Sequence, residues 1–177
     1  KNKLVYNWYE NYDKSLIKVK KETAKILIKN IILKYKNIKN FIKIIKINNK
    51  SIYQLKNNKP IRTKTLKLIL NALDIDLDSF NNKIEAIGGS KFVFNTEFPI
   101  RLNKKEIAIL VAAFMSDGNN QKEHPYYSNT GFLGNKIIKV TRNIIPNIPY
   151  EIRNGKVRFH SILGKILRIP PNNSLDE

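Results

Sequence analysis

The chain reads as α+β: an all-helical amino-terminal part, then an α/β part built on a small antiparallel sheet. Three observations predict this. From Thr23 to Gly88 apolar residues recur every three or four positions, the period of helices with one buried face. Asn154-Gly155 stands between Tyr150-Glu151-Ile152-Arg153 and Lys156-Val157-Arg158-Phe159, a strong local signal for a two-residue hairpin. Before it, Leu-Val-Ala-Ala-Phe-Met-Ser-Asp-Gly (Leu110 to Gly118) forms an apolar, small-residue helix whose end delivers one carboxylate, Asp117, onto a glycine. The boundaries predicted from these patterns are a basic aromatic arm or packed helix at 1–22, a helical domain at 23–88, a linker at 89–103 and a mixed domain at 104–177.

In chain order, residues 1–22 mix lysines with Tyr6, Trp8, Tyr9 and Tyr12 without a clean period. They suit either an arm that stacks on bases or a segment packed on the next domain. A first helix presents Ile26, Ile28, Ile31, Ile32 and Tyr35 as its apolar face. Asn37 caps a second, burying Ile38, Phe41, Ile42 and Ile45. A tight connection at Ile47-Asn48-Asn49 leads into a short third helix, Lys50 to Lys56. There Ile52 and Leu55 face inward while Lys50, Ser51, Tyr53, Gln54 and Lys56 face out. A fourth helix from about Thr63 to Leu73 buries Leu66, Ile69, Leu70 and Leu73. A fifth, from about Asp78, buries Phe80, Ile84 and Ile87 and stops at Gly88-Gly89.

Five short helices with a tight turn between the second and third resemble the helix-turn-helix domain of phage-repressor type. The resemblance implies that the third helix enters the major groove, with Ser51, Tyr53 and Gln54 at base edges and Lys50, Lys56 and Lys59 on phosphates. Without it, the same pattern is a helical bundle with a solvated lysine face.

Phe92-Val93-Phe94 reads as a short strand in the linker. Asn103, with Glu106 three residues on, is a capping-box start for the next helix. Residues 119–130 suggest a strand or irregular hairpin, with Pro125 at an edge. A helix from about Lys136 to Ile145 stops before Pro146, the Asn154-Gly155 hairpin follows, and a last helix runs from Ser161 to Ile169. The hairpin register pairs Arg153 with Lys156, Ile152 with Val157, Glu151 with Arg158 and Tyr150 with Phe159. Tyr150, Ile152, Val157 and Phe159 then share an inner face; Glu151, Arg153, Lys156 and Arg158 share an outer one.

The nonapeptide and the order helix, strands, helix, hairpin, helix resemble one half-domain of the LAGLIDADG homing endonucleases, over about residues 99–174. Leu110 stands at the motif's first leucine, Ala112 and Ala113 at its central small positions, and Asp117-Gly118 as its closing Asp-Gly. The resemblance implies a helix that pairs with a second copy through Leu110, Ala112, Ala113 and Gly118, Mg2+ held by Asp117, and a sheet face (Glu151, Arg153, Lys156, Arg158) laid in the major groove. Lys156 and Lys165 are the candidates for the family's basic helper. The chain departs from the pattern at Met115, where the family often has an acid, and at Ala112, where it has glycine. One motif supplies one carboxylate per chain, so a composite metal site implies a homodimer or a second repeat.

Composition points the same way. There are 33 Lys plus Arg against 14 Asp plus Glu, net +19, a field that attracts polyanions and supplies phosphate contacts. Most of it lies in residues 1–61, with 16 basic and 3 acidic side chains. Abundant Lys, Ile and Asn also fit an AT-rich coding sequence, which discounts the charge argument without removing it. Zero cysteine excludes disulfides and thiolate metal sites, no run approaches the roughly 18 apolar residues of a membrane helix, and no secretory signal is visible. The expectation is a cytoplasmic protein. The chain opens without Met and stops at Asp176-Glu177, compatible with a piece of a longer protein. His124 and His160 are expected to be surface or structural. No Ser-His-Asp order, HExxH, P-loop or dinucleotide fingerprint occurs. The expected partner is double-stranded DNA, cut with Mg2+ if the chain is a dimeric nuclease. The alternatives are a non-catalytic DNA-binding regulator and, third, an RNA-binding protein.

Overall fold

The computed structural model describes residues 4–89, 93–116, 118–121, 124–128 and 130–167. The fold is mixed α+β with small antiparallel sheets. It divides into two compact units, one of Asn7–Pro99 and one of Lys1–Tyr6 with Ile100–Glu177. The first is therefore an insertion into the second. Strands β1 (Leu4–Tyr6) and β6 (Ile100–Leu102) form an antiparallel ribbon with Tyr6 opposite Ile100. The chain leaves the ribbon at one strand end and returns at the end paired with it. This replaces the expected arrangement of two consecutive domains joined by a linker at 89–103.

The inserted unit is not all-helical. Helices α1 (Lys21–Tyr35), α2 (Ile38–Ile45), α3 (Asn49–Lys56) and α4 (Thr63–Ala72) accompany a sheet of β2 (Leu16–Val19), β3 (Ile61–Arg62), β4 (Ile84–Gly88) and β5 (Val93–Asn95), in the order β3-β2-β4-β5. The expected fifth helix is a 3-10 turn at Asn81–Lys83 followed by β4. Phe80, Ile84 and Ile87 satisfy a helical period, but the ladders to β2 and β5 (Ile87 opposite both Ile17 and Phe94) decide the backbone. Of the four residues expected to be buried on α4, Leu66, Ile69 and Leu70 are; Leu73 is its half-buried C-cap.

Of residues 1–22, expected as an aromatic arm or a packed segment, those from Asn7 onward are built into this unit. Trp8 is fully buried, its indole N–H donates to the Leu77 carbonyl at 3.1 Å, and its ring meets Phe80 edge-on at 6.2 Å. The Tyr9 hydroxyl donates to Asp78 at 2.6 Å. On α1 the buried face is Ala24, Leu27 and Ile31. Ile26 and Ile32, expected on that face, are 57% and 42% exposed. On α2 Phe41 is buried, while Ile38, Ile42 and Ile45 are half-buried.

The enclosing unit carries α5 (Lys104–Ser116), β7 (Gly118–Gln121), β8 (His124–Tyr127), α6 (Phe132–Ile144), β9 (Tyr150–Arg153), β10 (Lys156–Phe159) and α7 (Ser161–Leu167). Its antiparallel sheet has the order β7-β8-β10-β9. Asn103 caps α5 by accepting from the Lys105 N–H at 2.9 Å, and Glu106 accepts from Asn143 near the end of α6 at 3.2 Å. The start of α5 thus lies beside the end of α6. The core gathers Leu110, Phe114, Tyr127, Val157, Phe159 and Leu163, with Phe114 edge-on to Tyr127 and Phe159 at 6.4 and 6.1 Å.

The hairpin has the expected register at all four pairs, and Asn154 and Gly155 take φ of 51° and 68°, the two positive angles of a type I′ turn. The inner face is only half as expected. Val157 and Phe159 are buried, but Ile152 is 55% and Tyr150 37% exposed. Strand β9 is the sheet edge, where the helical cover ends. Tyr150 is covered in part by Arg142, whose guanidinium lies 4.8 Å from the ring centre.

Candidate nucleic-acid interface

In the inserted unit the candidate surface is made by the turn between α2 and α3. Helix α2 ends at Lys46, whose left-handed φ of 55° reverses the chain. Ile47 drops its side chain under the turn, 9% exposed, and Asn48 opens α3 by accepting from the Lys50 N–H at 2.8 Å. Three residues therefore separate the helices. Ile52 and Leu55 anchor α3, at 2% and 1% exposure. Rotation around the helix then puts Lys50, Tyr53 and Lys56 fully outside, Tyr53 at 63% exposure, with Ser51 and Gln54 half-exposed beside them. Lys59, just past the helix, is exposed; its N–H donates to the Gln54 carbonyl at 2.8 Å, which folds the chain back against the end of α3. All six predicted residues are thus on or beside one short helix.

The charge around them is one-signed. Between Glu22 and Asp74 the sequence holds 13 lysines and arginines and no acid. The acids flanking that stretch pair with lysines outside α2 and α3: Glu22 with Lys25 at 2.9 Å, Asp13 with Lys67 at 3.1 Å, Glu85 with Lys18 at 2.6 Å, and Asp74 with Lys34. Among the described residues no lysine of α2 or α3 enters an ion pair. Lys39, Lys43 and Lys46 extend the cationic surface along α2 and the turn, and nothing but their charge marks them in the sequence.

The second candidate surface is the outer face of the four-stranded sheet. Glu151 and Arg153 on β9 are exposed; Lys156 and Arg158 on β10 are half-buried. Tyr126 on β8 joins them, because it stands opposite Arg158 and its ring lies 4.5 Å beneath the Lys156 ammonium. Sequence reasoning missed Tyr126: the pairing of β8 with β10 spans about thirty residues and leaves no local pattern. The cation–π contact fixes where Lys156 presents its charge. The Arg158 Nε is buried without an acceptor among the described residues, so this arginine is partly a packing residue.

The nonapeptide residues divide. Leu110 is fully buried in its own unit. Gly118 is held close to the end of α5, where an added Cβ would lie 2.5 Å from Phe114 Cα and 2.8 Å from its carbonyl oxygen. Leu110 therefore serves the packing of its own unit and is not open to a partner helix, as the resemblance implied, while half-exposed Gly118 is a position where no side chain fits. Ala112 is exposed and Ala113 half-buried, with Ala108 exposed one turn before Ala112 and Met115 79% exposed. Asp117, predicted as the metal ligand, lies outside the described residues. Among the described residues, which leave out Asp117, no group of three or more His, Asp or Glu converges.

Lys165 is half-buried on α7. His160 is structural: 7% exposed, it accepts at Nδ1 from the Ile162 N–H at 3.2 Å at the start of α7. His124 lies in β8. Among the described residues no helix is long and apolar enough to cross a membrane. No family model, curated protein or solved structure matches the chain.

Proposed function

We propose that this chain is a cytoplasmic protein that binds double-stranded DNA, with α3 as reader and the outer sheet face as a second contact surface. The observation that carries the reading is the composition of the α3 surface. Two buried anchors hold a short helix whose outer side combines hydrogen-bonding side chains (Ser51, Tyr53, Gln54) with unpaired lysines. Those are the groups that read base edges and grip phosphates respectively. The three-residue turn supports a helix-turn-helix reading for α2 and α3, and the order of elements from α5 to α7 supports a LAGLIDADG-like reading for the enclosing unit. The RNA alternative keeps only part of its sequence clue, since of the aromatics from Tyr6 to Tyr12 the first two, Tyr6 and Trp8, are core residues while Tyr9 and Tyr12 are half-buried.

The test is binding to a duplex selected for affinity and to random duplex of equal length. Gln54→Ala is expected to narrow the gap between the two, whereas Lys50→Ala weakens both alike. Equal losses on both duplexes for Gln54→Ala would remove α3 as the reader.

The uncovered Ala108, Ala112 and Met115 on α5 favour a second element of the reading, self-association along that helix. A nuclease would need that arrangement to bring two copies of Asp117 to one ion, since each chain contributes a single one. The discriminating assay is Mg2+-dependent cutting of the selected duplex by wild type and by Asp117→Asn. Cutting lost in Asp117→Asn with binding kept marks an endonuclease; binding without cutting by wild type marks a regulator.

A further inference from the structure

Helix α1 carries six aliphatics in eight positions, Ile26, Leu27, Ile28, Ile31, Ile32 and Leu33, interrupted by Lys29 and Asn30. Here the face of Ala24, Leu27 and Ile31 is in the core, while Ile26 and Leu33, two turns apart on the opposite pole, are 57% and 71% exposed. Ile32 flanks them at 42% and continues into a shallow depression at the corner between α1 and α2, lined by Ile32, Lys36, Asn37, Ile38 and Lys39. Lys29 and Asn30 stand between Ile26 and Leu33, so the surface is an apolar stripe interrupted by polar groups that runs into a lysine-rimmed hollow.

We infer that this face of α1 docks an acidic amphipathic helix of a partner protein. Spacing supplies the form of the occupant: residues at i and i+7 on α1 match an apolar ridge recurring at i, i+3, i+4 and i+7 on a partner helix. Charge supplies its sign. The rim is lysine (Lys29, Lys36, Lys39), within the stretch from Glu22 to Asp74 that contains no acid, and Glu22 itself is held by Lys25. A second copy of this chain would bring like charge against like. A nucleic acid would satisfy the lysines but offers phosphate, not apolar surface, to Ile26 and Leu33. Docking on this face does not depend on what α3 recognises.

The experiment titrates the full chain into a labelled synthetic helix of leucine and glutamate with leucines at i, i+3, i+4 and i+7, and into a scramble of identical composition that breaks the stripe. The ordered probe is expected to bind about tenfold more tightly than the scramble at equal salt. Ile26→Ser with Leu33→Ser is expected to erase that difference while leaving thermal stability and duplex binding unchanged. Serine keeps the charge constant, so the effect reads the apolar stripe alone; Ile26→Ala with Leu33→Ala gives the same answer if serine perturbs α1. Equal binding of probe and scramble, or a difference that survives both variants, overturns the proposal in favour of plain charge attraction. Self-association of the full chain that the same variants abolish overturns it in favour of a second copy.

Discussion

Tyr9 shows how one side chain fastens a segment whose role the sequence leaves open. Its hydroxyl donates to Asp78, and that hydrogen bond, with burial and the carboxylate's charge adding, pushes its pKa up to about 12. The bond needs the protonated phenol. It therefore contributes to stability below pH 10, the ordinary value, and that contribution fades as pH rises from 10 toward 12. An alkaline titration followed by tyrosine absorbance is expected to show one late-ionising phenol that vanishes in Tyr9→Phe; a curve unchanged by the substitution would mean that the contact does not hold in solution. Trp8 beside it carries more of the packing, yet in the sequence it stands among lysines and tyrosines with no period. Its burial comes from residues 77 to 81, which meet it only in the folded chain.

Among the elements, legibility follows the range of the interactions. The Asn154-Gly155 hairpin is local, and its register is readable pair by pair because two left-handed residues in a two-residue loop admit one alignment. Helix α3 is readable because Ile52 and Leu55 are the apolar pair in an otherwise polar segment. Strand β4 is not, since its partners β2 and β5 are supplied from outside the window that sets a helical period. The face of α1 is unreadable for another reason: six aliphatics in eight positions define no direction. The hairpin also marks where pattern and burial part company, because alternation tells which residues share a face but not whether anything covers it. Val157→Asp is accordingly expected to destabilise the enclosing unit by on the order of 3 kcal/mol or more, a charge set in the core, whereas Ile152→Asp on the uncovered edge costs about 1 kcal/mol or less. Thermal unfolding of the two variants checks this; comparable losses would mean that the edge strand is covered.

For the whole molecule, the organising fact is the insertion. The paired strands Leu4–Tyr6 and Ile100–Leu102 are short and lie far apart in sequence, so nothing in the pattern announces that residues 7 to 99 form a unit set within another. The candidate interface on α3 is more legible than the architecture, because charge and side-chain type there survive whatever the topology around them. On the reading proposed above, the chain carries two cationic surfaces, α3 in the inserted unit and the sheet face in the enclosing one. Arg153→Ala with Lys156→Ala is expected to weaken duplex binding while leaving the melting temperature nearly unchanged, since exposed charges contribute little to folding; binding unaffected by the pair would remove the sheet face as a contact surface. Whether α3 grips DNA through its unpaired lysines is decided by the salt dependence of duplex binding for wild type and for Lys50→Ala with Lys56→Ala. Wild type is expected to lose affinity steeply with salt, by about 0.9 log units per phosphate contact for each decade, and the double variant to have a slope shallower by about 2. A wild-type affinity indifferent to salt, or a slope that the two substitutions leave untouched, would contradict it.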